Sequence, residues 1–176
     1  MLPKHKYLLT YRYAEVVQDL NVEFCDLFIS KFSRTHDQMV QAARSGKQNI
    51  VEGVAQGRTL KKGEIKLLGV AESSVEELIS DFEDFLRQKK LEIWQKNHPQ
   101  IVIYRQLGIE ATRFESPKVL TLPKLPIEAA NLLFTLCHQL TFLLSRQIAA
   151  AEKKFIEEGG FTESLFRKRI QHRLPK

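Results

Sequence analysis

Proline and glycine are scarce in this chain, whose 176 residues include six prolines and eight glycines. These two residues most often interrupt helices, so their scarcity leaves long runs that can stay helical. The length is that of one compact domain with a sizeable hydrophobic core.

Cysteine is also rare, which excludes a disulfide framework. Cys25 and Cys137 are the chain's two cysteines, and each lies in an apolar run of helical character. We expect both to be buried and reduced, because a free cysteine behaves as a small hydrophobic residue. The chain has no CxxC motif, no Cys/His cluster and no Glu-x-x-His pair. We therefore expect neither a metal nor another cofactor.

A long uninterrupted apolar run is missing as well. The longest such run, near Leu132–Leu144, is broken by Thr135, His138, Gln139 and Thr141. These interruptions predict a segment too short and too polar to span a bilayer. The N-terminal segment MLPKHKYLLTYRYAE lacks the apolar core of a signal peptide. We expect a cytoplasmic protein with no membrane partner.

Apolar residues instead recur at intervals of three and four in four long segments, the pattern of amphipathic helices. The predicted helices cover about residues 11–32, 34–56, 60–90 and 127–158. Short links join the first three. The sequence therefore predicts an all-α domain, residues 1–158, folded as an up-down-up-down antiparallel four-helix bundle.

Residues 91–126 interrupt this pattern with four prolines and predict a long irregular connection between the third and fourth helices. Within it, the apolar run Ile101–Tyr104 is compatible with a turn of helix or a short strand. Gly159-Gly160 predicts the end of the fourth helix. A short terminal helix, Glu163 to about His172, is then expected within a basic C-terminal suffix, residues 159–176.

No arrangement of residues typical of an enzyme is present, and we expect no catalytic activity. His36 and Asp37 form a His/Asp pair, but no nucleophile stands near them in a known motif. Asp37 is better explained as a carboxylate that complements the positive end of a helix. His138, on an apolar helix, is expected to be a hydrogen-bonded core histidine.

The chain is basic, with a net charge of +6 and a pI of about 9.3. Its cationic residues form two groups, either of which is compatible with phosphate binding. The first group is Arg44, Lys47, Arg58, Lys61 and Lys62, and the second is Arg167, Lys168, Arg169 and Arg173. Only Phe161 and Phe166 accompany the second group, so contacts to phosphates are favoured over stacking on bases. RNA and DNA are not distinguished.

Polar residues also interrupt the core faces of the second and third helices. Their most economical explanation is a hydrogen-bonded network between the two helices, because buried polar groups need partners. The alternative is a cleft for a small ligand. The residues concerned are Gln48, Asn49, Glu52, Ser73 and Ser74.

Two spaced patterns in these helices resemble a known family. Residues 42–53 read AARSGKQNIVEG and contain S-x-x-x-N-I-x-E-G, and residues 71–78 contain A-x-x-S-x-x-E-L. Both are similar to the core of the four-helix-bundle proteins associated with intervening sequences in bacterial 23S rRNA genes. The resemblance covers about residues 10–155, and the C-terminal suffix is similar to that of a variant of this family.

The resemblance implies a helical bundle without established enzymatic activity. Related bundles assemble as rings of five identical subunits. One relative, the accessory variability protein of diversity-generating retroelements, works with a reverse transcriptase and its template RNA. Residues that match the family motif are given structural roles: Ser45, Asn49, Glu52, Gly53, Ser74 and Glu77.

Three functional hypotheses follow. The first is a non-catalytic homo-oligomer, by resemblance a pentamer, that binds RNA, DNA or a nucleic-acid enzyme through its basic residues. The second is a protein–protein interaction scaffold with no nucleic-acid role. The third is a small-molecule enzyme that uses Gln48, Asn49, Glu52 and Ser74. Fold alone does not decide between them.

Overall fold

The computed structural model describes residues 2–57 and 59–173. Every regular element in these ranges is helical, so the all-α prediction is confirmed. A short 3-10 turn, Lys4–Tyr7, comes before six α-helices. In chain order these are α1 (Leu9–Phe28), α2 (Arg34–Gln56), α3 (Lys61–Gln88), α4 (Pro99–Ala111), α5 (Pro126–Glu158) and α6 (Phe161–Arg173).

The turn between α1 and α2 begins earlier than predicted. We expected the first helix to reach Phe32, but Ile29 already has extended backbone angles and Phe32 is fully exposed. Ser33 caps α2, since its side chain accepts a hydrogen bond of 3.2 Å from the Thr35 N–H. The apolar residues after Phe28 therefore belong to the turn, although their spacing continues the helical pattern.

The connection between α3 and α5 is more ordered than predicted. We expected residues 91–126 to be irregular, but they contain α4, a helix of 13 residues that includes Ile101–Tyr104. Pro99 opens this helix instead of breaking it, because the first helical position needs no N–H donor. The His98 side chain caps it by accepting a hydrogen bond of 3.2 Å from the Gln100 N–H.

Two glycines allow α2 and α3 to approach closely. A β-carbon at position 46 would lie 3.2 Å from Val75 Cγ2, and one at position 53 would lie 3.5 Å from the Glu64 carbonyl oxygen. Each glycine costs a helix about 1 kcal/mol relative to alanine. The close packing that they permit offsets this cost.

The main core lies between α1, α2, α3 and α5. Helix α1 contacts α2 and α5, and α3 contacts the same two helices. Phe24 is central to the core, and its ring lies 5.1 Å from that of Phe82 and 4.9 Å from that of Phe85. Cys25 and Cys137 are buried and free. Burial raises the pKa of the Cys25 thiol to about 12 and also raises that of the Cys137 thiol.

A single buried amide attaches the chain before α4 to α5. Asn131 is fully buried, and its Oδ1 accepts a hydrogen bond of 2.9 Å from the Trp94 N–H. Its Nδ2 donates to the carbonyl oxygens of Glu92, at 3.0 Å, and Ile127, at 2.9 Å. Farther along, α4 packs against α5 at Gly108, where a β-carbon would lie 2.7 Å from Leu136 Cδ2.

Among the described residues, the range Pro126–Arg173, which comprises α5 and α6, contains an 18-residue window that is apolar enough by composition to cross a membrane, with a mean hydropathy of 1.3. We expected the polar interruptions in this region to prevent that. The indication is weak, because 61% of the window is buried inside the protein, as in a core helix.

Replacing Asn131 by leucine should destabilise the protein by about 2–4 kcal/mol, because the Trp94 N–H and the Glu92 carbonyl lose their partner. Urea unfolding, followed by circular dichroism and by the emission of the only tryptophan, would measure the loss. Thr135→Val is the control, since this buried hydroxyl donates only within its own helix. Equal losses in the two variants would contradict the role of Asn131.

Candidate nucleic-acid interface

Three residues of the family motif form a chain of hydrogen bonds between α2 and α3. Asn49 Nδ2 donates to Ser45 Oγ at 3.1 Å, and Ser45 Oγ lies 3.0 Å from Ser74 Oγ. Ser74 donates to the Val70 carbonyl oxygen at 2.9 Å, so Ser45 is the donor between the two serines. This chain satisfies the polar groups of the helix contact.

The other motif residues divide into two kinds. Gly53 lies in the close contact with α3 described above. Glu52 and Glu77 are exposed, and within the described ranges no hydrogen bond or ion pair involves either side chain. The proposed structural roles therefore have contacts to support them at four of the six positions.

The polar residues do not converge as a ligand cleft would require. Ser73 is exposed and donates to the Gly69 carbonyl oxygen at 3.1 Å, within its own helix. Asn49 and Ser74 are engaged in the network, and Gly46 keeps the helices in tight contact beside them. At these residues the arrangement is that of a hydrogen-bonded contact between two helices.

The first basic group is spread along the molecule. Arg44 is exposed and Lys47 half-buried midway along α2, whereas Lys61 and Lys62 lie at the start of α3. From Arg44 to the end of α2 the helix rises about 18 Å. Lys61 is paired with Glu64 at 3.2 Å. Arg58 lies outside the described residues.

The second basic group lies on α6, whose residues are nearly all exposed. The helix starts at Phe161, two residues before the predicted start, and it has no buried residue. Its cationic side chains at Arg167, Lys168, Arg169 and Arg173 are exposed. Arg167 donates to the Glu158 carbonyl oxygen at 2.6 Å, which ties α6 to the end of α5.

The start of α3 and the start of α6 lie at the same end of the molecule. Lys62 Nζ is 5.8 Å from the centroid of the Phe155 ring, and Phe155 lies on the last turns of α5. Two residues separate the end of α5 at Glu158 from the start of α6 at Phe161. The structure thus brings Lys62 close to the basic C-terminal helix and leaves Arg44 and Lys47 apart from it.

His36, on the first turn of α2, is half-buried between two aspartates. His36 Nε2 lies 3.5 Å from Asp26 Oδ1, and His36 Nδ1 lies 3.5 Å from Asp37 Oδ1. Lys31 Nζ lies 3.3 Å from Asp26 Oδ1. Lys31, followed by His36, lowers the pKa of Asp26. His138 is exposed, so the prediction of a core histidine was wrong. Its ring packs perpendicular to that of Phe134, with centroids 4.5 Å apart.

Metal binding has no geometric support in the described part of the chain, where no group of three or more His, Cys, Asp or Glu side chains could hold an ion.

The sequence did not indicate a groove between residues 93–96, α4 and α5. This α4–α5 groove has a volume of about 450 Å³. The lining side chains are mainly aromatic, aliphatic or basic, and they come from three separate segments: Ile93, Trp94, Gln95, Lys96, Ile101, Arg105, Phe134, Thr135, His138, Gln139 and Phe142. Trp94, the single tryptophan of the chain, is the residue by which the sequence could have drawn attention to this region.

Asp81 on α3 is the carboxyl group most affected by burial. It lines a hollow beside the α1–α2 turn, together with Asp84. Burial, followed by repulsion from Glu77 and Asp84, raises its pKa from 3.8 to about 6. Because the folded protein holds the proton more tightly than the unfolded chain, the ionised form of Asp81 lowers stability above about pH 6.

Comparison with protein-family models, with curated proteins and with solved structures found no match for this chain. The family resemblance therefore rests on the spaced residues of α2 and α3.

Replacing Asp81 by asparagine should stabilise the protein at pH 7, on the order of 1 kcal/mol after solvent screening. The gain should shrink as the pH falls through about 6 and should vanish below about 4, where the aspartate is neutral in both states. Urea midpoints at several pH values would measure it. Glu83→Gln, at an exposed carboxylate of the same helix, is the control. A gain that does not depend on pH would contradict this account.

Proposed function

We propose that the chain is a non-catalytic, oligomeric helical-bundle protein that binds nucleic acid, or a nucleoprotein partner, through basic surface residues. The observation that carries the proposal is α6, a cationic helix that has no buried residue. Membership of the 23S rRNA intervening-sequence family and a cytoplasmic location are part of the same proposal.

The charge of α6 suits a polyanion. Four arginine and lysine side chains stand against the single carboxylate of Glu163 within Phe161–Arg173. Successive helical residues are rotated by about 100°, so Arg167, Lys168 and Arg169 point in different directions. Such a distribution favours contacts with phosphates on several sides of the helix over an ordered set of base contacts.

The isolation of α6 also favours a partner. A helix of 13 residues with no buried side chain is only marginally stable in water. Phosphates bound along its length would stabilise it. The exposed Lys62, at the same end of the molecule, would extend the cationic surface.

For the fold, we propose the up-down-up-down bundle. Short links at residues 29–33 and 57–60 favour antiparallel neighbours, and α1 and α3 each contact both α2 and α5. In a ring of five copies, as the family resemblance implies, several copies of α6 would act together, and their combined affinity would exceed that of a single helix.

A specific observation favours the alternative, a protein–protein interaction scaffold. Helix α4 exposes Val102, Ile103 and Ile109 to about half of their full extent. Exposed apolar side chains on one short helix are typical of protein contact surfaces. They are equally compatible with the self-association in the main proposal.

The binding proposal predicts a salt-dependent affinity that α6 controls. Labelled single-stranded RNA and duplex DNA would be titrated by fluorescence anisotropy between about 50 and 200 mM salt. Substituting Lys168, Arg169 and Arg173 together by alanine should make the negative slope of log K against log[salt] shallower by about 2–3, because up to three phosphate contacts are lost. Arg167 is retained because it holds α6 to α5.

The matched control removes three exposed lysines elsewhere. Lys31 follows α1, Lys89 follows α3 and Lys124 precedes α5. All three lie away from Lys62 and α6. Their replacement by alanine changes the net charge equally and should leave the slope nearly unchanged. An equal effect of both triple variants would refute specific binding through α6. Absence of binding to either nucleic acid at low salt would refute the binding proposal and favour the protein–protein interaction scaffold.

A further inference from the structure

The α4–α5 groove has the size of a small-ligand site. Its volume of about 450 Å³ falls within the range of roughly 300–1,000 Å³ that such sites occupy. Two fixed contacts shape it. Asn131 holds the backbone of Trp94 on one side, and Gln139 Nε2 donates to the Arg105 carbonyl oxygen, at 3.3 Å, on the other.

One wall of the groove presents aromatic rings. Trp94 stacks on His98 with centroids 4.4 Å apart and planes 10° apart, which fixes the orientation of the indole. Helix α5 contributes Phe134 and Phe142 to the lining, and Phe142 is 61% exposed. A planar ring bound here would cover this apolar surface and stack on it, as bases do on aromatic side chains.

The charge at the groove favours an anion. Lys96 and Arg105 are exposed, and neither has an ion-pair partner among residues 2–57 and 59–173. No carboxylate is among the lining residues. A group bound here would therefore meet two available cations without a competing negative charge, the environment that binds phosphate.

We propose that the α4–α5 groove binds a mononucleotide. The base lies against Trp94 and Phe142, and the phosphate is held by Lys96 and Arg105. Gln95 and Gln139 supply polar groups beside the ring. The site uses none of the α6 cations, so mononucleotide binding can be tested independently of the proposed nucleic-acid function.

The full chain offers a direct test, because Trp94 is its only tryptophan. AMP, adenosine and inorganic phosphate would each be titrated at low salt while the indole emission is recorded. We expect AMP to quench the emission saturably, adenosine to bind about tenfold more weakly, and phosphate alone to leave the emission unchanged. No saturable quenching by AMP at millimolar concentration would overturn the proposal, as would adenosine binding as tightly as AMP.

Surface variants locate the site. Arg105→Ala and Lys96→Ala should each weaken AMP binding about tenfold, the size of one charge-assisted hydrogen bond. Phe142→Ala should weaken it by a similar factor. Lys124→Ala and Phe32→Ala, at exposed positions outside the groove, are the charge and ring controls. Circular dichroism would establish that each variant is folded. AMP affinity unchanged in Arg105→Ala and Lys96→Ala would overturn the assignment.

Two other occupants are distinguished in the same assay. A single-stranded decanucleotide is tested on the chain that lacks the cations of Lys168, Arg169 and Arg173. Tighter binding of this strand than of AMP would overturn the mononucleotide assignment in favour of a strand. A second copy in the groove would make the emission depend on protein concentration, and AMP would then fail to quench it. The salt slope measured with α6 variants is independent of either result.

Discussion

The attachment of the α3–α5 connection depends on the side-chain amide of Asn131. Fully buried, it is bound to three backbone groups, and two of them belong to the segment before α4. A buried amide or carbonyl without a partner costs about 1–3 kcal/mol, so these bonds select one position for Trp94. The close contact at Gly108 then sets α4 on α5, and the aromatic wall of the groove follows from both.

The contact between α2 and α3 uses polar groups differently. There the serines and Asn49 satisfy one another, and the glycines bring the backbones together, so little remains available to a ligand. The residues that carry the family resemblance are thus mostly packing residues. Functional chemistry is instead proposed where cations and aromatic rings remain exposed, on α6 and at the α4–α5 groove.

The sequence predicted helices well where an apolar face is continuous and a cap marks the start, as in α2 with Ser33. Prediction from the sequence failed where one residue type is compatible with two different structural positions. Pro99 was interpreted as part of an irregular connection because proline inside a helix is disruptive, but at the first position it is favourable. His138 and Phe142 follow an apolar pattern yet face outward. The groove itself could not be predicted, because residues from three segments meet only after folding.

The two cysteines have a consequence for the behaviour of the protein toward oxidants. Thiol–disulfide exchange and sulfenic acid formation both proceed through the thiolate, and they require access to the sulfur. Burial of Cys25 on α1 and Cys137 on α5 disfavours the thiolate and blocks access to the sulfur. We therefore expect the two thiols to resist oxidation in the folded chain and to react only when the helices separate.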